Sequence, residues 1–197
     1  MRFVGMAVGL AIALAAPAHA LTLPSNGILK FDVLRKGKDI GDHSYRFSGS
    51  TSSFSVQVST NIVVKIPLIR TTVYSFQHSS VEKWQGGKLR QLSSETNDDG
   101  APHQLQTAGK GVLPASLWND DIVRSGKLMN TIDGNIMRVR VADLGTESVK
   151  TRRGKVSARH YRISGGLERD LWYDADGNLA RVAFKADDGS IVTYIRK

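Results

Sequence analysis

The sequence has no cysteine among its 197 residues. This absence excludes disulfides, thiol catalysis and zinc sites built from thiolates. It also excludes the acylated cysteine that tethers a bacterial lipoprotein to its membrane. A chain of this length buries enough apolar surface to fold as one domain without cross-links.

Long apolar runs are absent too, except for one at the amino terminus. There the charged start Met1-Arg2 leads into an apolar stretch that ends at Ala16, and small residues follow up to Ala20. This pattern predicts a cleavable secretory signal peptide, because the run is shorter than the ~18 to 20 residues that span a bilayer. We expect residues 1–20 to be removed and residues 21–197 to form a single periplasmic or secreted domain without a transmembrane segment.

Negative charge is scarce relative to positive charge. The sequence has 18 Asp and Glu against 27 Lys and Arg, a formal net charge of +9, of which Arg2 would be lost with the signal peptide. Such a balance favours anionic partners, here lipid headgroups or cell-wall polymers. We predict no nucleic-acid partner, because the protein is expected to be exported and few aromatic side chains for base stacking lie near its basic segment.

Motifs that carry catalysis or hold a cofactor are missing as well. His43, His78, His103 and His160 form no close metal-binding pair such as His-Glu-x-x-His. No serine lies in Gly-x-Ser-x-Gly or Ser-x-x-Lys, and no nucleotide-binding glycine loop is present. Residues 174–178 resemble part of a calcium loop, but the first and last carboxylate ligands are absent. We therefore predict a non-enzymatic protein with no cofactor and no metal.

The sequence is rich instead in alternating apolar and polar residues, which is the period of a β-strand. Between Phe54 and Ile66 the alternation predicts one long strand or two short ones. Asp-Gly and Gly-Gly turn signals separate such segments, as in hairpins. The pattern predicts a mainly β fold, a single antiparallel domain of about 10–11 strands. The helical signal is confined to Pro114–Val123, so at most one or two short helices are expected.

Several turns and aromatic residues carry a resemblance to known proteins. They are Gly37-Lys38-Asp39-Ile40-Gly41 with His43 and Tyr45, Val73–His78, Glu82-Lys83-Trp84 with Gly86–Leu89, Trp118, and Leu171–Asp174 with Gly177. In this order they resemble uncharacterised exported bacterial β-rich families that are classed as domains of unknown function. In outline, such families are similar to the periplasmic lipoprotein-carrier half-barrels. Together with the strand pattern, the resemblance implies a single strongly curved antiparallel sheet or open half-barrel around an apolar hollow.

The most hydrophobic part of the chain after the amino terminus supplies a candidate ligand site. The residues predicted to face the hollow are Ile62, Val64, Ile66, Tyr74, Phe76 and His78. They predict binding of an apolar or amphipathic ligand such as a lipid. An ordinary core strand explains the same apolar residues, and a packed or rim position explains the histidine.

A second candidate site is the basic segment that follows Lys150. The arginines predicted to bind an anionic group are Arg152, Arg153, Arg159, Arg162 and Arg169. A solvated strand face with acidic neighbours explains the same residues. They also support a rival function, an envelope interaction module that docks a protein or an anionic cell-wall polymer. A hydrolase with scattered active-site residues is the third hypothesis.

Overall fold

The structure is a computed structural model that describes residues 23–66, 69 and 71–197. The predicted signal peptide lies outside the described residues. The described chain forms 13 β-strands and a short 3-10 helix at Asp120–Arg124. The strands are β1 (Ile28–Arg35), β2 (Lys38–Ser50), β3 (Ser53–Lys65), β4 (Thr72–Gln85), β5 (Lys88–Asp98), β6 (Ala101–Ala108), β7 (Leu113–Pro114), β8 (Lys127–Met129), β9 (Ile136–Thr151), β10 (Gly154–Gly165), β11 (Arg169–Asp174), β12 (Leu179–Lys185) and β13 (Ile191–Arg196).

All 13 strands belong to one sheet with the order β6-β5-β4-β3-β2-β1-β13-β12-β11-β10-β9-β8-β7. β1 lies near the middle and pairs with both β2 and β13. Strands β2 to β6 extend from it to one edge in chain order, and strands β13 to β7 extend to the other edge in reverse chain order. Neighbouring strands are antiparallel except for β7 and β8, which are parallel. The sheet curves without closing, and β6 and β7 form its free edges. This confirms the predicted fold class, a single curved antiparallel sheet that stays open.

The strand count exceeds the prediction of about 10–11 because two strands are too short to show alternation. β7 has two residues and β8 has three. The helical prediction at Pro114–Val123 was misplaced at its start, because Pro114 ends β7. The 3-10 helix begins only at Asp120, where the side chain of Asn119 caps it by accepting a hydrogen bond from the backbone N–H of Asp121.

β3 shows how alternation positions the interior. It is one continuous strand of 13 residues, which decides between the two possibilities that the sequence left open. Its buried side chains are Phe54, Val56, Val58, Thr60 and Ile62. β3 pairs along most of its length with β2 and β4, so the alternate residues of those strands face the same interior.

The turns between strands lie at two opposite ends of the curved sheet. We call the upper end the one that carries the turns at 36–37, 99–100 and 186–190, and the lower end the one that carries the turns at 51–52 and 86–87. Register shifts in five of the strand pairings bend the sheet between these ends. Within the described ranges, no helix is long and apolar enough to cross a bilayer.

Residues 109–135, which we call the inner segment, link β6 to β9 and fill much of the interior. Trp118, Ile122, Leu128 and Met129 of this segment are at most 4 % exposed. They belong to one core cluster with inward side chains from both halves of the sheet. The inner segment therefore packs as a core layer against the inner face of the sheet, although it contains little regular structure.

Gly41 lies where the backbones of β2 and β3 come very close. Its φ is +150°, and a Cβ at this position would lie 1.9 Å from the backbone oxygen of Asn61. We expect Gly41→Ala to lower the free energy of unfolding by about 2–3 kcal/mol, because the strands must separate to accept the methyl group. Chemical denaturation followed by circular dichroism measures the change.

Gly37→Ala is the control for this prediction. Gly37 also has a positive φ, +75°, but no atom lies within 4 Å of an added Cβ. The expected loss is about 1–2 kcal/mol, from backbone strain alone. A loss for Gly41→Ala no larger than that for Gly37→Ala would show that the close approach to Asn61 does not constrain the sheet.

Candidate functional site

A row of alternating histidine and threonine side chains crosses four neighbouring strands. His43 of β2 lies opposite Thr60 of β3, Thr60 lies opposite His78 of β4, and His78 lies opposite Thr96 of β5. We call these four residues the His–Thr row. Each is at most 8 % exposed, and residues opposite one another share a face of the sheet. The row is therefore a polar band on the inner surface of an otherwise largely apolar sheet.

Each histidine of the row bonds to a threonine on the next strand. Nδ1 of His43 lies 2.7 Å from Oγ1 of Thr60, and Nδ1 of His78 lies 2.7 Å from Oγ1 of Thr96. Burial, with a smaller contribution from His78, lowers the pKa of His43 to about 3, and burial also lowers the pKa of His78. Both imidazoles are therefore neutral at neutral pH. Nε2 of His43 is buried without a hydrogen-bond partner among the described residues.

The His–Thr row contributes to the wall of an interior cavity near the upper end. The cavity has a volume of about 130 Å³. Its walls come from β2, β3, β4, β11, β12, β13, the inner segment and the turn before β11. The lining residues are His43, Tyr45, Val58, Thr60, Phe76, His78, Ala115, Ser116, Leu117, Thr131, Ile132, Leu167, Arg169, Val182, Phe184 and Tyr194. Apolar walls with a few convergent polar groups are the usual composition of a ligand pocket.

Arg169 is the one charged side chain among the described residues that line the cavity. Its guanidinium carbon lies 4.0 Å from the ring centroid of Phe184, so the cation rests on an aromatic face. Nη1 donates a hydrogen bond to the backbone carbonyl of Glu168 over 2.7 Å. Arg169 forms no salt bridge with the described carboxylates. The cavity thus contains a cation without a paired anion.

A buried carboxyl group lies below the cavity and fastens the inner segment to the sheet. Oε2 of Glu82 accepts hydrogen bonds from the indole N–H groups of Trp84 and Trp118, each over 2.9 Å. Burial raises the pKa of Glu82, although Ser116, Trp118 and Trp84 favour its ionised form. The hydroxyls of Tyr45 and Tyr173 donate to the backbone carbonyls of Ser116 and Leu117. The inner segment is therefore held by polar bonds as well as by packing.

Comparison with protein families gives a match over most of the chain. The family model described as Domain of unknown function (DUF6134) matches residues 31–197. The chain belongs to this family. No curated protein matches the chain.

A solved structure has a similar fold to this DUF6134 chain. It is the crystal structure of a β-barrel-like protein of Domain of Unknown Function DUF1849 from Brucella abortus. The two have a TM-score of 0.62 and 8 % sequence identity, and the alignment covers 86 % of this chain and 94 % of the other. At that identity the likeness concerns the fold alone. Both findings confirm the resemblance to uncharacterised β-rich families of unknown function.

The predicted ligand residues of the DUF6134 chain lie in neighbouring places at the upper end. Phe76 and His78 line the cavity. Ile62 is a buried member of an adjacent apolar cluster, against which Val64, Tyr74 and Phe76 pack. Ile66 is 39 % exposed. The structure thus brings five of the six together around one end of the interior, with Ile66 at the rim.

The predicted anion-binding arginines do not form one patch. Oxygens of Asp32, Asp143 and Asp170 pair with Arg152, Arg159 and Arg162, respectively, at 2.5 to 2.8 Å. Those arginines and Arg153 are exposed. Arg169 alone of the five lines the interior cavity. Three of the four exposed arginines therefore have an acidic neighbour.

Sequence reasoning missed His43, Thr60 and Tyr194 as members of the site. A usable signal exists for the row, because the bonded pairs are separated by 17 and 18 residues, about one hairpin each. On β11, Arg169 alternates with the buried residues Leu171 and Tyr173, and this alternation indicates that its side chain faces inward. The helical signal at Pro114–Val123 did not indicate that the inner segment lines the cavity of the DUF6134 chain.

Proposed function

We propose that this protein is an exported, non-enzymatic binder of an apolar or amphipathic ligand, which it holds in the interior cavity. The observation that carries the proposal is the composition of the walls. Val58, Phe76, Val182 and Phe184 offer apolar surface, while Nε2 of His43 has no partner among the described residues. A buried polar nitrogen without a partner is unfavourable, and a ligand that bonds to it removes the penalty.

The size of the cavity limits the part of the ligand that it takes. An engineered apolar cavity of about 150 Å³ accepts benzene, and this cavity measures about 130 Å³. The bound portion is therefore about one six-membered ring or a short piece of acyl chain. The adjacent apolar cluster of Val33, Ile62 and Val192 shares Phe184 and Tyr194 with the cavity walls. That cluster offers a continuing apolar surface to a longer tail such as that of a lipid.

The export part of the proposal has its own test. Expression of the full chain in a bacterium, followed by fractionation and intact-mass measurement, gives the location and the mature amino terminus. We expect a periplasmic or secreted species that begins at about Leu21, as the small-residue exit predicts. An unprocessed cytoplasmic species would refute export while leaving the cavity proposal standing.

Ligand binding is tested with the mature protein in two steps. Mass spectrometry of an organic extract identifies any co-purified apolar compound, and calorimetric titration with toluene measures binding of a ring-sized probe. We expect saturable toluene binding that Ala115→Leu weakens at least about tenfold, because the added carbons occupy the space of the ligand.

Ala142→Leu is the matched control, because Ala142 is exposed on β9 and does not line the cavity. We expect this variant to bind toluene as the unaltered protein does. Absence of a co-purified compound together with absence of saturable toluene binding would overturn the proposed function. Equal weakening by both substitutions would place the binding site elsewhere.

A further inference from the structure

Arg169 is a half-buried cation at the wall of the cavity. Burial lowers its pKa, an effect that Tyr194 and Glu168 partly offset. A guanidinium has five N–H donors, and the bond to the carbonyl of Glu168 is the one hydrogen bond it makes to the described residues. Partial removal of a charge from water without a paired anion is unfavourable. The arrangement is explained if a ligand supplies the anion.

The other polar groups around the cavity are suited to an anion rather than to a cation. No aspartate or glutamate is among the described residues that line it. Burial raises the pKa of Tyr194 to about 12, so its hydroxyl keeps its proton and can donate it in a hydrogen bond. Tyr194 packs against the same phenylalanine as the arginine, with its ring centroid 6.0 Å from that of Phe184.

We propose that the cavity selects ligands that carry a carboxylate on a small apolar body, with Arg169 binding the carboxylate and Tyr194 donating a second hydrogen bond. This inference rests on the proposed function and adds the chemical class of the ligand. The fork of a guanidinium matches the two oxygens of a carboxylate, and charge-assisted hydrogen bonds are stronger than neutral ones. Val58, Phe76 and Val182 then surround the apolar body.

The inference corrects the location that the sequence suggested for anion binding. Three of the four exposed arginines, Arg152, Arg159 and Arg162, already have carboxylate partners. Exposed charges in water contribute little to the affinity for a single anionic group. A half-buried guanidinium beside apolar walls acts in a lower dielectric than an exposed one, so the same attraction is larger there.

The test compares benzoate with benzamide, which has nearly the same shape but no charge. Calorimetric titration of the mature protein at pH 7.5 gives both affinities. We expect benzoate to bind at least about tenfold more tightly than benzamide, because the carboxylate bonds to the guanidinium are charge-assisted. Arg169→Gln should remove that preference by weakening benzoate at least about tenfold and benzamide less than about threefold.

Further variants separate recognition from folding. Arg169→Lys keeps the charge but loses the fork, so we expect an intermediate benzoate affinity. Tyr194→Phe should weaken benzoate about three- to tenfold, the loss expected for one hydrogen bond. Arg162→Gln, on the outer surface, is the control and should change neither affinity. If Arg169→Gln fails to fold, the Arg169→Lys and Tyr194→Phe affinities decide.

The outcomes keep this inference distinct from the proposed function. Equal affinity for benzoate and benzamide, unaffected by the substitutions of Arg169 and Tyr194, would overturn carboxylate selection. Toluene binding that Ala115→Leu weakens would then still support a neutral ligand. Loss of benzoate affinity in Arg162→Gln comparable to that in the Arg169 variants would also overturn it, because the outer surface would then hold the anion.

Discussion

Replacing Trp118 by alanine should lower the free energy of unfolding by about 3–5 kcal/mol, the range for deletion of a large buried side chain. Trp118 is 4 % exposed, and its ring contacts those of Phe47, Phe54 and Trp84, with centroids 5.2 to 5.9 Å away. It also donates one of the two indole hydrogen bonds to Glu82. Urea unfolding followed by circular dichroism measures the loss.

Trp118→Phe separates packing from hydrogen bonding in this prediction. Phenylalanine keeps much of the apolar surface but leaves Glu82 with a single indole donor, Trp84. We expect a loss of about 1–3 kcal/mol, the penalty for weakening a bond to a buried polar group. If Trp118→Ala lowered stability by less than about 1 kcal/mol, which is unlike deletion of a core tryptophan, the inner segment would not be part of the core.

Mild acid should destabilise the protein through the two buried histidines. The pKa of His43 is lowered by burial and by His78 to about 3, against 6.5 for an exposed histidine. Below pH 6.5 the unfolded chain therefore binds a proton at His43 that the folded chain does not bind. As a result, the free energy of unfolding falls as the pH falls towards 3. The loss from His43 is about 1.4 kcal/mol per pH unit, or about 2–3 kcal/mol between pH 6.5 and 4.5. His78, whose pKa burial also lowers, acts in the same direction.

His43→Asn isolates this effect from other titrating groups. The variant should lose the part of the acid-dependent change in unfolding free energy that His43 causes, whatever its stability at pH 7, while the part from His78 remains. Glu82 has the opposite sign, because its pKa is raised, so its contribution to stability is complete at low pH and is lost as the pH rises above 4.5. Glu82→Gln should therefore steepen the acid-induced loss.

The control variant, and the result that would contradict this prediction, are measured in the same denaturation series between pH 4.5 and 6.5. His103 is exposed on β6, and we expect His103→Asn to leave the slope of stability against pH unchanged. A slope that is identical in the unaltered protein and His43→Asn would show that His43 titrates alike in both states. The neutral wall assigned to the cavity would then be wrong.

Alternation predicted which residues face inward on the long strands. In β3 and β4, Ile62 and Phe76 were placed on the inner face because side chains on a strand repeat every two residues, and both pack at the upper end. The strands and hairpins followed from the same alternation and from the turn signals, and the curved open form of the sheet followed from the family resemblance. Alternation along a strand is a local property of the chain, so the sequence displays it.

The composition of the site could not be predicted in the same way, because it depends on register between strands. Thr60 meets His43 and His78 only through pairings that hairpin turns and register shifts set, such as the shift between Val64 and Lys65. Arg169 was grouped with exposed arginines by its proximity in sequence. Its alternation with Leu171, which is fully buried, indicates the interior instead.

The packing of the inner segment inside the sheet escaped prediction for another reason. Its strands β7 and β8 are too short for a period to appear, and its core residues are held by tertiary contacts. The bonds from Tyr45 and Tyr173 to its backbone join positions 71 and 56 residues apart. Such long-range bonds leave no local signal in the sequence, yet they hold Ser116 and Leu117 in the wall of the cavity.

The measurement that tests the central claim most directly is the detection of nuclear Overhauser effects between toluene and the methyl groups of the mature protein. If the ligand occupies the cavity, contacts appear to the methyl groups of Val58, Ile132 and Val182, which line it. The methyl groups of Val149, in the separate cluster around Trp172, should show none. Contacts confined to residues outside the cavity, or no contacts at saturating toluene, would contradict the account.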